Sequence, residues 1–232
     1  MANLVLKKAA VYLTLGAFWA IGVLPCEAQT FSTGGAPETL VDIKAVEAPA
    51  LHTLNGRTGI GSLQHLGQGI IIDSAGIIAT SKHIVLNAQH IYVKLSDGKI
   101  FEAYVLQNSQ ADLCLIKINA PFPLRASSLA NSSDIQKGSK VIAIVNAIFN
   151  PQRVLGGQIV DVFKETTTHN VEILEINIPL KPGDSGGPIL NENGSLLGLI
   201  MGNQISDPSK SYAIASNRIQ QEYFKYRNAV LN

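Results

Sequence analysis

The stretch Lys181-Pro182-Gly183-Asp184-Ser185-Gly186-Gly187-Pro188 sets a serine among glycines, with an acid just before it and a proline after the glycine pair. Glycine tolerates positive φ, so such a turn lets backbone N–H groups crowd toward one point and leaves the hydroxyl exposed. An alcohol presented in this way can attack a carbonyl, and the amides beside it can hold the oxyanion that forms. The N–H groups of Gly183, Asp184 and Ser185 are the candidates for that hole. The plain alternative is a glycine-rich hairpin turn without chemistry. Serine alone is a weak nucleophile, so the chemical reading needs a base and an acid to orient it.

Both are present. The run from Gly67 to Val85 reads as an apolar strand, a turn at Asp73 to Gly76, a second apolar strand and then His83. Downstream, Ala111-Asp112-Leu113-Cys114-Leu115-Ile116 sets Asp112 at the head of another apolar strand. Alone, a histidine after a strand is an ordinary core or surface residue, and an acid at a strand start is ordinarily solvated. Their order with the serine is what gives them weight.

In the chain order His83, Asp112, Ser185 the three motifs resemble the chymotrypsin-like serine peptidases. They are most similar to bacterial Deg (high-temperature-requirement) protease domains, whose hairpin between histidine and acid is matched by Leu95-Ser96-Asp97-Gly98. The resemblance runs from about Gly67 to about Asn217. It implies an all-β chain of two six-stranded antiparallel barrels with the active site in the cleft between them, plus a C-terminal helix. His83 and Asp112 would stand on the first barrel and Ser185 on the second, with the loop Ala120 to Gly138 crossing between them. It implies that Ser185 attacks a peptide carbonyl, His83 moves the proton, Asp112 orients the imidazole, and an acyl-enzyme forms. Polypeptides, unfolded or flexible, are the implied substrates, and no cofactor or metal is called for.

The resemblance also points to a pocket. In this family the residue six before the serine often sets the pocket charge, and here it is Pro179, followed by Leu180. With no acid available, a substrate Arg or Lys would lose hydration and gain no partner. The expected preference is therefore for small or medium apolar side chains. Met201, Gly202 and Asn203 are expected to form one wall, pairing with extended substrate, and Tyr212 another.

Several residues depart from the family pattern. Lys82 precedes His83 where relatives carry Ala or Asn, and Met201 falls where they place a hydroxyl that supports the acid. Asp184 matches an acid that pairs in zymogen relatives with a freshly cut Ile-Val-Gly-Gly terminus, a sequence missing here, so another donor is required. With the expected helix so near the end of the sequence, no PDZ module of the kind Deg proteins append is expected, and the assembly stays open between monomer and trimer. These departures keep a second reading alive, a catalytically silent homologue that binds protein or peptide.

Composition agrees with a packed enzyme domain. The 232 residues are 46% hydrophobic and 15% charged, enough to bury a sizeable core. A net charge of +1 gives no electrostatic case for nucleic acid. His52, His65, His90 and His169 are scattered and lack metal-ligand spacing.

Lys7 and Lys8 precede an apolar run from Ala9 to Leu24, then Pro25 and Cys26-Glu27-Ala28. This reads as a signal peptide over 1–28 and an exported chain, periplasmic or secreted, without a stable membrane span; an uncleaved anchor is the alternative. Cleavage would leave Cys114 as the sole cysteine, excluding an intramolecular disulfide. Residues 29–58 read as a linker or N-terminal arm. The peptidase domain is expected over 59–232, with barrels at about 59–122 and 138–215 and the helix at about 216–228. Expected strands are Ile70–Ile72, Ile77–Thr80, His90–Leu95, Ile100–Leu106, Leu113–Ile118, Val141–Val145, Gln158–Phe163, Val171–Ile178, Pro188–Leu190 and Leu196–Met201.

A histidine base works only when neutral, so hydrolysis should fall as pH drops through the ordinary imidazole range near about 6.5. A rate profile that stays flat from about pH 5 to 8 would mean that another group supplies the base.

Overall fold

A computed structural model describes residues 36–54, 57–145, 152–165, 171–204 and 207–231. The signal-peptide segment 1–28 and the start of the arm lie outside these described residues, as does His169. Fourteen strands dominate, and twelve of them close into two antiparallel barrels of six.

The first barrel holds β1 (Leu40–Glu47), β4 (Gln64–Asp73), β5 (Ile77–Thr80), β6 (Ala88–Lys94), β7 (Ile100–Asn108) and β8 (Cys114–Ile118), in the order β1-β4-β5-β8-β7-β6. Strand β1 corrects the expectation that residues 29–58 form a linker or arm. Val41, Ile43 and Ala45 point into the barrel while Lys44 faces solvent, a period-two alternation that closes the barrel between β4 and β6. The first barrel therefore begins at Leu40. The strands β2 (Ala50–Leu54) and β3 (Arg57–Gly61) form a separate two-stranded ribbon.

The second barrel holds β9 (Lys140–Val145), β10 (Arg153–Glu165), β11 (Val171–Ile176), β12 (Pro188–Leu190), β13 (Leu196–Gln204) and β14 (Asp207–Ala215), in the order β10-β11-β14-β13-β12-β9. Residues 119–139 cross between the barrels. Ser127 N–H donates to Ile71 in the first, and Ala130 N–H donates to Leu196 in the second. Each barrel has its own core, and a third cluster lies between them, where Leu40, Ile70, Leu113 and Leu115 meet Ile142, Ile144, Leu199 and Ile214. That two-layer burial is the main driving force for docking one barrel on the other.

Two helices bear on the site. The single turn α2 (Lys82–Val85) follows β5 and is anchored by buried Ile84 and Val85. After α1 (Ala36–Thr39) and α2, the helix α3 (Ser216–Leu231) leaves the second barrel and packs back on the first. Ile219 enters the inter-barrel core, and the Tyr223 hydroxyl donates to the Asp73 carboxylate. Among the described residues no helix is long and apolar enough to cross a membrane.

Cys114 sits in β8, fully buried, and burial pushes its thiol up to about 12; Asp112 adds to this and Lys82 opposes it. The thiolate is the reactive form. Cys114 should thus resist a thiol reagent at about pH 8 in the folded protein and react when denaturant opens the barrel. Fast labelling without denaturant would show a barrel that opens readily.

Candidate active site

The short turn α2 delivers His83 to the mouth of the cleft, and the loop before β8 delivers Asp112 opposite it. Asp112 Oδ2 lies 2.7 Å from His83 Nδ1, and its Oδ1 accepts the His83 backbone N–H at 2.9 Å. A carboxylate can only accept here, so Nδ1 carries the proton and Nε2 keeps its lone pair. The carboxylate thus fixes both the tautomer and the placement of one residue.

Ser185 comes from the loop between β11 and β12. Gly183 and Gly186 take φ of +96° and +80°, the left-handed region that glycine enters without strain. At Gly186 no other residue fits, because a Cβ would stand 1.9 Å from the Gln68 carbonyl oxygen. The loop is stitched to both barrels. Gln68 N–H of β4 donates to Ser185 O at 2.8 Å, and Gly186 N–H donates to Ile200 O at 2.8 Å. Ser81 Oγ, just before α2, donates to the same Ile200 oxygen at 2.7 Å. Gln68 and Ser81 therefore help to set the separation of His83 and Ser185, a task that their sequence context does not advertise.

The amides sort themselves. Asp184 N–H donates to Lys181 O at 3.0 Å, which removes it from the expected oxyanion set. The reason is local: the carboxylate of Asp184 turns inward, and its amide closes a turn on Lys181. Among the described residues no backbone carbonyl accepts from Gly183 or Ser185 N–H, so these two remain for an incoming oxygen.

Ser185 Oγ donates to the Met201 carbonyl at 3.3 Å. The pairing of β13 with β14 shifts register between Ile200 and Gly202, and this bulge turns Met201 O toward the serine. Met201 thus faces the nucleophile with its backbone instead of supporting Asp112 with a side chain.

The donor that Asp184 requires is Arg153, at the start of β10. Its Nη2 lies 2.8 and 2.6 Å from the two carboxylate oxygens, and Lys181 N–H adds a bond of 2.7 Å to Oδ2. Asp184 is fully buried, so the guanidinium is its counter-charge. Sequence reasoning asked for a donor but had no way to pick Arg153 from a distant strand.

The expected pocket residues divide. Leu180 is buried in the second-barrel core, Pro179 is exposed, and Asn203 Nδ2 donates to the Leu180 carbonyl. Ser211 Oγ lies 2.6 Å from Ile178 O and 2.9 Å from Asn203 Oδ1. Gly202 pairs with Tyr212 on β14, but the Tyr212 ring packs edge-on to Phe163 in the inter-barrel core. Alternation along β14 puts Tyr212 and Ser211 on opposite faces, so Ser211 stands beside Asn203 where the tyrosine was expected. Among the described residues no group of three or more His, Cys, Asp or Glu side chains is arranged to hold a metal.

Two closed six-stranded barrels with a His–Asp pair on one and a glycine-flanked serine on the other define a chymotrypsin-like fold. Comparison with known proteins narrows this. The trypsin-like peptidase domain family matches residues 67–199. The periplasmic serine endoprotease DegP of Salmonella typhimurium is 33% identical over 71% of this chain and 37% of its own length. DegP of Escherichia coli is 32% identical over 67% of this chain and 34% of its own. The HtrA-type protease AlgW solved with a decapeptide superposes with a TM-score of 0.72, at 19% identity, over 83% of this chain and 65% of that one. The chain belongs to the trypsin-like peptidase family, as a domain of the Deg/HtrA type. It spans 37% and 34% of the length of those two curated relatives.

Replacing Arg153 by Met should cost about 3–5 kcal/mol in urea unfolding, because a buried carboxylate loses its counter-charge. Adding Asp184→Asn should recover part of that loss. Equal stability of Arg153→Met and the parent would mean that the pair contributes nothing.

Proposed function

We propose that this chain is a serine endopeptidase that cleaves unfolded or flexible polypeptides through an acyl-enzyme. The observation that carries the reading is the double grip of Asp112 on His83, ring and backbone together, with a loop that presents Ser185 and two amides to which no backbone carbonyl among the described residues is bonded. His83 Nε2 takes the proton from Ser185 Oγ as the oxygen attacks the carbonyl carbon. Gly183 and Ser185 N–H groups receive the oxyanion, each such donor contributing about 3 kcal/mol to the transition state. His83 then protonates the leaving amine, and water repeats the sequence on the ester.

The substrate class rests on chemistry and likeness together. Extended peptide is what the edge at Gly202 and Asn203 can pair with, and the solved relative AlgW carries a decapeptide. Around Leu180, Asn203 and Ser211 the groups are neutral, which favours small or medium apolar side chains over Arg or Lys. Two curated relatives are periplasmic endoproteases, which supports export of this chain as well.

A second reading is a silent homologue that binds peptides, in which Ser185 Oγ would keep its bond to Met201 O. A fluorophosphonate probe separates the two. Labelling of the folded protein that disappears in Ser185→Ala supports the endopeptidase, and an intact fold that takes no label supports the binder.

A peptide library should be cut mainly after Val, Ala, Ile or Leu. Cleavage concentrated after Arg or Lys would overturn the neutral-pocket reading.

A further inference from the structure

A buried carboxylate on α3 has no part in the reaction described above. The Glu222 side chain is 4% exposed, yet Arg218 Nη2 lies 2.7 Å away, Lys225 Nζ 3.0 Å and Ser109 Oγ 3.3 Å, and Gln107 Nε2 also donates to it. Burial acts to raise its pKa, but the Lys225, Arg218 and Gln107 contacts outweigh this and hold it below the usual carboxylate value. The helix therefore presents a fixed negative charge to the segment that precedes β8.

Ser109 is where that charge reaches the catalytic loop, three residues before Asp112. Its N–H donates to Leu113 O at 3.0 Å, and its Oγ accepts from Ala111 N–H at 3.2 Å and from Arg218 Nη2 at 3.1 Å. Its carbonyl accepts from Lys82 Nζ at 3.0 Å. Lys82 is the residue before His83, so its unusual ammonium ties the histidine turn to the aspartate loop. The bonds at the Asp112 carboxylate come from His83 itself. Asp112 can hold the imidazole in place only if it is itself held, and that hold must come from its own backbone segment.

We propose that Ser109, braced by Arg218 and Glu222 of α3 and tied to Lys82, is the positioning residue that sets Asp112 in the triad. This rests on the endopeptidase reading. The helix docked behind the first barrel thereby acts on the chemistry without touching substrate.

The test measures the fluorophosphonate labelling rate of Ser185 and the hydrolysis of a flexible peptide. The parent is compared with Ser109→Ala, Ser109→Thr, Arg218→Met and Ser185→Ala. Ser109→Ala should lower kcat and the labelling rate at least about tenfold at unchanged KM, since small misplacements of catalytic groups have effects of this size. Ser109→Thr, which keeps the hydroxyl, should restore most of the rate. Ser109→Ala with Arg218→Met should lose no more than the worse single variant, because both break one link. In proton NMR the downfield signal of the His83 Nδ1 proton should broaden in Ser109→Ala. Rates within twofold of the parent in both single variants, or a loss that only follows the folded fraction, would overturn the proposal. If Ser109→Ala does not fold, the nearly isosteric Glu222→Gln answers in its place with the same two outcomes. A parent that takes no label removes the endopeptidase reading and this inference with it. A labelled parent with unchanged variants removes the inference alone.

Discussion

The geometry of the cleft depends on a short hydrogen-bonded seam between the barrels, centred on two carbonyl oxygens. Ile200 O accepts from Gly186 N–H of the nucleophile loop and from Ser81 Oγ beside the histidine turn. Ser185 O accepts from Gln68 N–H across the barrels, and within the first barrel Thr80 Oγ1 donates to Gln68 O and steadies that residue. These groups are buried, so leaving one unmatched would cost about 1–3 kcal/mol, and the seam is defined to within the tolerance of a hydrogen bond. His83 and Ser185 come from different barrels, and this seam converts two independent folds into one register.

Charge inside the domain is handled by pairing. Asp184 has Arg153 and the Lys181 amide, and Glu222 has Arg218, Lys225, Gln107 and Ser109. The first pair sets the loop that carries Ser185, and the second meets the segment that carries Asp112. Buried ion pairs are weak sources of stability but strong specifiers of one arrangement when a partner is fixed by geometry. Here both fix segments whose placement must be correct to a fraction of an ångström for catalysis.

Much of this was legible from residue types. The glycine-flanked serine, the apolar strands and the order of histidine, acid and serine led to the two-barrel fold that is observed, and β5 and β12 fall at their expected bounds. Strand β1 was missed although Val41, Ile43 and Ala45 alternate cleanly with polar neighbours, because the Gly- and Pro-containing residues ahead of it read as linker. Strand β14 was missed for a similar reason: Asp207, Pro208, Ser209 and Lys210 dilute its apolar half. The partner of Asp184 and the role of Lys82 were not legible, since both are contacts between residues far apart in the chain. Ser211, not Tyr212, stands beside Asn203 because of which strand face meets the cleft, and a lone sequence does not supply that.

The tight fit at Gly186 has an implication for biosynthesis. A side chain there would run into the Gln68 carbonyl, so the turn that carries Ser185 closes directly against the backbone of the opposite barrel. A nascent molecule with only the first barrel assembled has His83 and Asp112 but lacks both the serine and the turn of amides that presents it. On the proposed reading, hydrolytic power therefore arrives only with the finished tertiary structure.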